Sequence, residues 1–150
     1  MQPVRKFKFN GFTLIEIILV IALIGILAGL FMANVFSSLA RGRDSRRKQD
    51  LRAVAQALEL YYNDNNRYPD DLPAGNESFT HPNDPGSIYL QKTPVDPSTK
   101  IRYCYETEDG SSYRITTNLE NNSDAEIFTV LTNCGGNEFN YGISSSNINL

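Results

Sequence analysis

Glu16 is the only charged side chain between Phe12 and Phe36, a run of 25 residues. A carboxylate at membrane depth costs about 2.5–3.5 kcal/mol on insertion scales, so it needs a partner or a function. No Lys, Arg or His lies between Phe12 and Arg41. No cation inside the run can therefore pair with Glu16. The alternative is a carboxylate close to the interface that snorkels, since it lies only four residues past Phe12. Gly11 stands just before the run, so cleavage there would leave the apolar segment on the mature chain. Gly25 and Gly29 form a GxxxG that Ala33 extends, and small residues at this spacing let helices approach closely.

The remaining reactive side chains are few. Cys104 and Cys134 are the only cysteines, and an even pair in an exported domain reads as a disulfide. It would be worth about 3–4 kcal/mol by the chain-entropy estimate. The single His, His81, sits beside Pro82 in a proline-rich stretch and reads as a surface residue. No nucleophile–His arrangement, zinc spacing or phosphate-binding glycine loop is present, so no catalytic residue, cofactor or metal ligand is assigned. The acidic stretches 106–109 and 120–126 lack EF-hand spacing and read as solvated loop acids rather than a calcium site. The eight tyrosines read as packing residues.

The elements that must position these groups follow from patterning. The chain has 150 residues and a formal net charge of −3, room for one modest domain and no bulk basic charge for nucleic acid. A 12–36 segment this apolar is long enough for a bilayer's hydrocarbon core. These features exclude a multidomain enzyme, a multi-span transporter and an ordinary cytosolic protein. Past Gly42, Leu51, Val54, Ala55, Leu58, Tyr61 and Tyr62 lie on one helical stripe. One helix from Phe12 to Asn63 would run for roughly 78 Å and stop before Pro69. The cluster Arg41, Arg43, Arg46, Arg47 and Lys48 reads as a solvated or headgroup-level face. Residues 64–100 hold six of the seven prolines and are loop-rich. Residues 101–106 and 112–119, joined at Asp109-Gly110, read as a hairpin, 126–132 as a third strand and 88–90 as an edge element. The tail 135–150 has weak pattern. Strands on one face of a long helix make an α+β architecture.

The amino terminus carries a resemblance. MQPVRKFKFNG holds Arg5, Lys6 and Lys8 and no acid, the form of an export leader. Gly11-Phe12-Thr13-Leu14-Ile15-Glu16 and the apolar residues after it resemble the amino terminus of type IV pilins and type II secretion pseudopilins. That resemblance implies a prepilin peptidase that cuts after Gly11 and methylates the new amine of Phe12. It also implies that Glu16 pairs with a neighbouring subunit's terminal amine. Many relatives carry Pro where this chain has Ala33. The segments DNNRYP (64–69) and PVDP (94–97) are similar to major pseudopilins of type II secretion, which often continue the second with Trp where Ser98 stands here.

The expectation is a pilin fold: leader 1–11, transmembrane or filament-core helix 12–36, amphipathic helix 37–63, and loops and antiparallel sheet over 64–150. Its function would be that of a structural subunit assembled through the apolar helix, with no enzyme activity. Its partners would be prepilin peptidase, other copies and related pilins, an inner-membrane assembly platform and the membrane, with no nucleic acid directly inferred. It would be a single-pass membrane protein with its C-terminal domain outside, then part of a surface pilus or periplasmic pseudopilus. Counting Lys and Arg on either side of the run would place the C-terminal side in the cytoplasm. The cysteines and the resemblance oppose that count and are preferred. Removal of the leader would take the net charge to −6. The alternative from another class is a membrane-anchored exported binding domain that does not polymerise.

Overall fold

The structure is a computed structural model that describes residues 11–128 and 132–147, except for the side chains of residues 30–34 and 132. Among the described residues, one helix, α1 (Leu14–Asn65), is followed by seven short strands. These are β1 (Phe79–His81), β2 (Asp84–Leu90), β3 (Cys104–Glu108), β4 (Ser112–Thr117), β5 (Thr132–Cys134), β6 (Asn137–Phe139) and β7 (Tyr141–Ser144). The chain divides into two compact units, one ending at Ser38 and one beginning at Leu39, and α1 contributes to both. The architecture is α+β, as the sequence implies.

In the first unit, Thr13 opens the helix: the Glu16 N–H donates to Thr13 Oγ1 at 3.4 Å, satisfying one of the otherwise unpaired first-turn donors. Among the described residues no helix is long and apolar enough to cross a membrane. Within the apolar run only the side chains of residues 30–34 lie outside the described residues.

In the second unit, Leu51, Val54, Ala57 and Leu58 are buried against the strands. This is the expected stripe with Ala57 added, while Ala55 and Tyr61 are half-buried and Tyr62 is 39% exposed. The helix ends where the asparagine run begins to bend back. Asn66 takes φ 54° and its N–H donates to the Tyr62 carbonyl at 2.7 Å, a left-handed helix cap that Asn tolerates.

The central sheet is antiparallel in the order β3-β4-β7. Cys104 faces Thr116 and Glu108 faces Ser112 across the β3–β4 hairpin, while Ile115 faces Ile143 across β4–β7. The turn between β3 and β4 places both Asp109 (φ 52°) and Gly110 (φ 73°) in the left-handed region that a tight hairpin turn requires. Gly110 is also needed for space: a Cβ there would lie 3.2 Å from the Tyr68 carbonyl oxygen. Gly142 permits close pairing of β7 with β4, since a Cβ would sit 2.7 Å from the Ile115 carbonyl oxygen.

Two smaller antiparallel pairs flank this sheet, β1–β2 and β5–β6. The first stacks Phe79 on Tyr61 with ring centroids 5.3 Å apart and so covers the last turns of α1. It makes residues 84–90 a full strand where only 88–90 was expected.

Three expectations are corrected. Residues 126–128 are not strand, and 129–131 lie outside the described residues, so the expected third strand is replaced by β5 at 132–134. The tail, in which weak pattern left no strand assigned, supplies β6 and β7, and β7 completes the central sheet. Short polar strands such as Asn137–Phe139 carry little periodicity, and pairing rather than composition makes them strands. His81 lies in β1, half-buried, and its Nδ1 accepts from the Asn83 N–H at 3.1 Å.

Candidate assembly site

The apolar half of α1 presents its side chains outward on every side. Phe12, Leu14 and Ile15 are each about three-quarters exposed, and the large apolar residues from Ile17 to Leu27 are at least 43% exposed. A helix that is apolar all round has no solvated face and needs a surrounding partner. Gly11 and Phe12 precede the helix and are exposed, and Glu16 stands exposed in its first turn. Gly25 and Gly29 lie four residues apart on one helix line, and an added Cβ at either would meet nothing within 4 Å. The side chain of Ala33 lies outside the described residues. The chain therefore offers the glycine pair as open surface on which another backbone can come close.

The second unit holds an ionic anchor that contradicts the reading of residues 41–48 as a solvated basic face. Arg47 is 3% exposed and Asp44 2% exposed. The Arg47 guanidinium donates from Nη1 to Asp44 Oδ1 at 2.7 Å, from Nε to Asp96 Oδ2 at 2.6 Å and from Nη2 to Ser98 Oγ at 3.1 Å. Nη1 also lies 2.8 Å from Glu120 Oε1. Asp44 in turn accepts the backbone N–H groups of Glu120 and Asn121 at 2.9 and 2.8 Å. Asp96 accepts those of Ser98 and Thr99 at 2.8 and 2.9 Å. One turn of helix thus fixes the PVDP loop and the 118–126 loop together.

The acidic stretch 120–126 is likewise engaged rather than solvated. Arg43 donates to Glu120 through two nitrogens, one at 2.9 Å from Oε1. Lys48 Nζ reaches Asp124 at 2.7 Å and Glu126 at 3.1 Å, and lies 5.3 Å from the centre of the Tyr141 ring. Asp50 accepts from the Tyr103 hydroxyl at 2.9 Å, tying the helix to the start of the hairpin. Among the described residues no cluster of His, Cys, Asp or Glu could hold a metal ion.

This anchor makes the domain acid-sensitive. The bonds from Arg43, and then those from Arg47 and Ser98, hold Glu120 down at about 2. Burial pushes Asp96 up, but bonds from Arg47 and from the Thr99 and Ser98 N–H groups outweigh it and leave the carboxyl below its ordinary value. Both groups are more acidic folded than unfolded, so they stabilise the fold fully above the unfolded carboxylate range of about 4. That stability falls as pH drops from about 4 towards 2. Thermal unfolding of the full chain in detergent should show a falling midpoint across that window. Exchanging Glu120 for Gln should flatten the fall.

The cysteines are joined. Cys104 at the start of β3 and Cys134 at the end of β5 form a disulfide with Cα atoms 6.2 Å apart, as the sequence implies. Cys134 is fully buried. Gly135 follows it with φ 58°, and its N–H donates to Glu106 Oε1 at 2.8 Å.

Sequence reasoning missed Arg47, Asp44 and Asp96 as a unit. A signal for two of them was present: Asp44 and Arg47 sit seven and four residues before Leu51, on the line that Val54 and Leu58 continue. The Ser98 hydroxyl bridges the anchor, accepting from Arg47 and donating to Glu120 Oε1 at 3.1 Å.

A long amino-terminal helix with an exposed apolar half, set on a small antiparallel sheet, defines the pilin class of filament subunits. The prokaryotic N-terminal methylation motif matches residues 6–32, and type II secretion system protein G matches residues 34–124. The chain belongs to the type II secretion system protein G family. It is 39% identical over 97 residues to the type II secretion system core protein G of Pseudomonas aeruginosa, covering 59% of this chain and 67% of that protein. With the core protein G of Aeromonas hydrophila it shares 34% identity over 100 residues, 62% of this chain and 70% of the relative. It is also 39% identical over 70 residues to the type IV major pilin protein PilA of Myxococcus xanthus, 44% of this chain and 32% of that pilin. No solved structure matches.

Proposed function

We propose that the chain is a structural subunit of a type II secretion pseudopilus or a closely related type IV filament, and that it works by assembling rather than by catalysis. Prepilin peptidase removes residues 1–11 after Gly11 and methylates Phe12. The subunit waits in the inner membrane as a single-pass protein with residues 39–150 outside, and an assembly platform passes it into the filament. There the apolar helices of many copies pack together, with Gly25, Gly29 and Ala33 on a seam of close approach. Glu16 accepts the terminal amine of the neighbouring copy, because an uncompensated carboxylate in an apolar filament core is costly.

The observation that carries this reading is the all-round exposure of apolar side chains from Leu14 to Leu27. A protein that functioned alone in water would leave that surface uncovered.

The test separates processing from assembly. Intact mass of the membrane-extracted protein should correspond to Phe12–Leu150 with a methylated terminus, and Gly11→Val should accumulate unprocessed precursor. Glu16→Ala should still be cleaved and remain in the membrane, since losing the charge eases insertion. Its yield in sheared filaments, relative to total membrane protein, should fall to near zero. Fully processed Glu16→Ala that assembles at the wild-type level would remove Glu16 as the inter-subunit partner. Wild-type protein that never enters filaments, even with its assembly genes present, would favour an anchored domain that does not polymerise.

A further inference from the structure

Apart from the ionic anchor, the second unit holds a small cavity of about 240 Å³. Arg46 and Asp50 line it from α1, Asn76 from the turn before β1, Leu90 from the end of β2, and Lys92 and Thr93 from the segment that follows. Its polar groups are left over by the fold. Thr93 is 3% exposed and its backbone is paired: its N–H donates to the Glu77 carbonyl at 2.7 Å, and its carbonyl accepts from the Asn76 N–H at 2.8 Å. The Thr93 hydroxyl is buried without a hydrogen-bond partner among the described residues. Such a hydroxyl costs free energy, and native folds leave few of them. Asn76 and Lys92 are exposed, and among the described residues neither the amide nor the ammonium is bonded. Arg46 donates from Nε to Asp50 at 3.0 Å, and its two Nη groups stay free. The other Asp50 oxygen accepts from the Tyr103 hydroxyl at 2.9 Å, so both oxygens of that carboxylate are engaged.

We propose that this cavity binds a small monocarboxylate that carries hydroxyl groups, the chemistry of a sugar acid. Charge sets the class. Arg46 and Lys92 against Asp50 leave one positive charge uncompensated, which one carboxylate matches. A doubly charged anion would bring its second charge up to Asp50, where like charges repel. The free Nη edge of Arg46 is planar and suits a carboxylate, while Lys92 adds a point charge beside it. The Thr93 hydroxyl and the Asn76 amide can each donate and accept, so they suit ligand hydroxyls rather than a bare alkyl acid. Leu90 gives the carbon skeleton an apolar wall. The volume lies below the range of about 300–1,000 Å³ that holds drug-sized ligands, so the occupant is a single small molecule. The site lies wholly within the second unit and asks nothing of the filament, so it is tested on the unassembled chain.

The test is ligand-observed NMR on the full chain in detergent, with glucuronate, glucose, acetate and inorganic phosphate as probes. Glucuronate should bind saturably at millimolar concentration. Glucose lacks the charge and acetate the hydroxyls, so each should bind roughly tenfold more weakly, and phosphate should also bind more weakly than glucuronate. Arg46→Ala and Lys92→Ala should each weaken glucuronate about tenfold, the size of a hydrogen bond to a charged group. Arg52→Ala removes a cation outside the cavity, 61% exposed, and should leave binding unchanged. Thr93→Val should weaken binding several-fold without lowering the unfolding midpoint, because the hydroxyl it removes has no partner in the fold to lose. Absence of saturable glucuronate binding, acetate or glucose binding as well as glucuronate, or tighter phosphate would overturn the ligand class. Undiminished binding in both Arg46→Ala and Lys92→Ala, or a lowered midpoint in Thr93→Val, would overturn the site.

Discussion

Replacing Arg47 with Ala should lower the stability of the globular unit by about 3–5 kcal/mol, the cost of leaving a buried charge without its partner. The reason is the number of groups that depend on one side chain. Arg47 neutralises Asp44 and Asp96, which are 2% and 8% exposed, and it also meets the half-exposed Glu120. Without it the two buried carboxylates face each other's field with only backbone N–H donors for compensation. Both loops held by those carboxylates should loosen. For a unit of this size the loss corresponds to a fall in unfolding midpoint on the order of 10–20 °C. Arg47→Lys should fall between the two, because a point charge cannot serve three carboxylates along a planar fork. Arg46→Ala is the contrast, since that side chain is 68% exposed and its partner Asp50 keeps the bond from the Tyr103 hydroxyl. Exposed pairs are worth about 0–1 kcal/mol, so its midpoint should barely move. Thermal unfolding of full-length protein in detergent, followed by circular dichroism, measures all three. Equal midpoints for Arg47→Ala and Arg46→Ala would show that the anchor does not hold the domain.

Exchange of both Cys104 and Cys134 for Ser should cost about 2–5 kcal/mol. The bond closes the excursion between β3 and β5, where residues 118–128 carry no strand. Elsewhere that excursion is held by Glu120, Asn121, Asp124 and Glu126 against the helix, and by Leu119 and Phe128, whose N–H groups donate to Asn140. Loss of the bond should therefore show twice: as a lower unfolding midpoint, and as new protease cuts between residues 118 and 140 under conditions that leave α1 intact. A reductant should produce the same two effects in the wild-type protein and no further change in the double Ser variant. If the double variant resists protease like the wild type, the remaining contacts alone position the segment. The two perturbations act on one loop, so combining Arg47→Ala with the double Ser variant should not give a simple sum.

The parts of this protein that depend on local pattern were legible in its sequence. The amphipathic stripe from Leu51 to Tyr61 has helix periodicity, and helix is what that part of α1 forms. Asp109-Gly110 between alternating residues specifies a tight turn, because only residues that accept positive φ fit both its positions. The cysteine pair implied its own bond, since only two thiols were available. Gly11, Phe12 and Glu16 carry their signal in linear spacing from the leader, and no tertiary contact is needed to read them.

What only the tertiary structure decided is where charge is buried and which polar segments pair. Arg43, Arg47 and Lys48 look like solvent-facing cations because five basic residues within eight positions suggest a wet surface. Their partners Asp96, Glu120 and Asp124 lie 49 to 77 residues away in loops without periodicity. Burial of an ion is favourable only when several distant groups converge on it, so no local window contains the reason. The same holds for β6 and β7. Asn137–Phe139 has no alternating apolar face and Tyr141–Ser144 offers only Tyr141 and Ile143, so both become strands because β5 and β4 offer unpaired backbone edges. The sequence alone determined the helix and the hairpin turn, each fixed by neighbours along the chain. The fold determined the anchor and the completed sheet, since charge compensation and backbone pairing are settled by whichever groups meet in space.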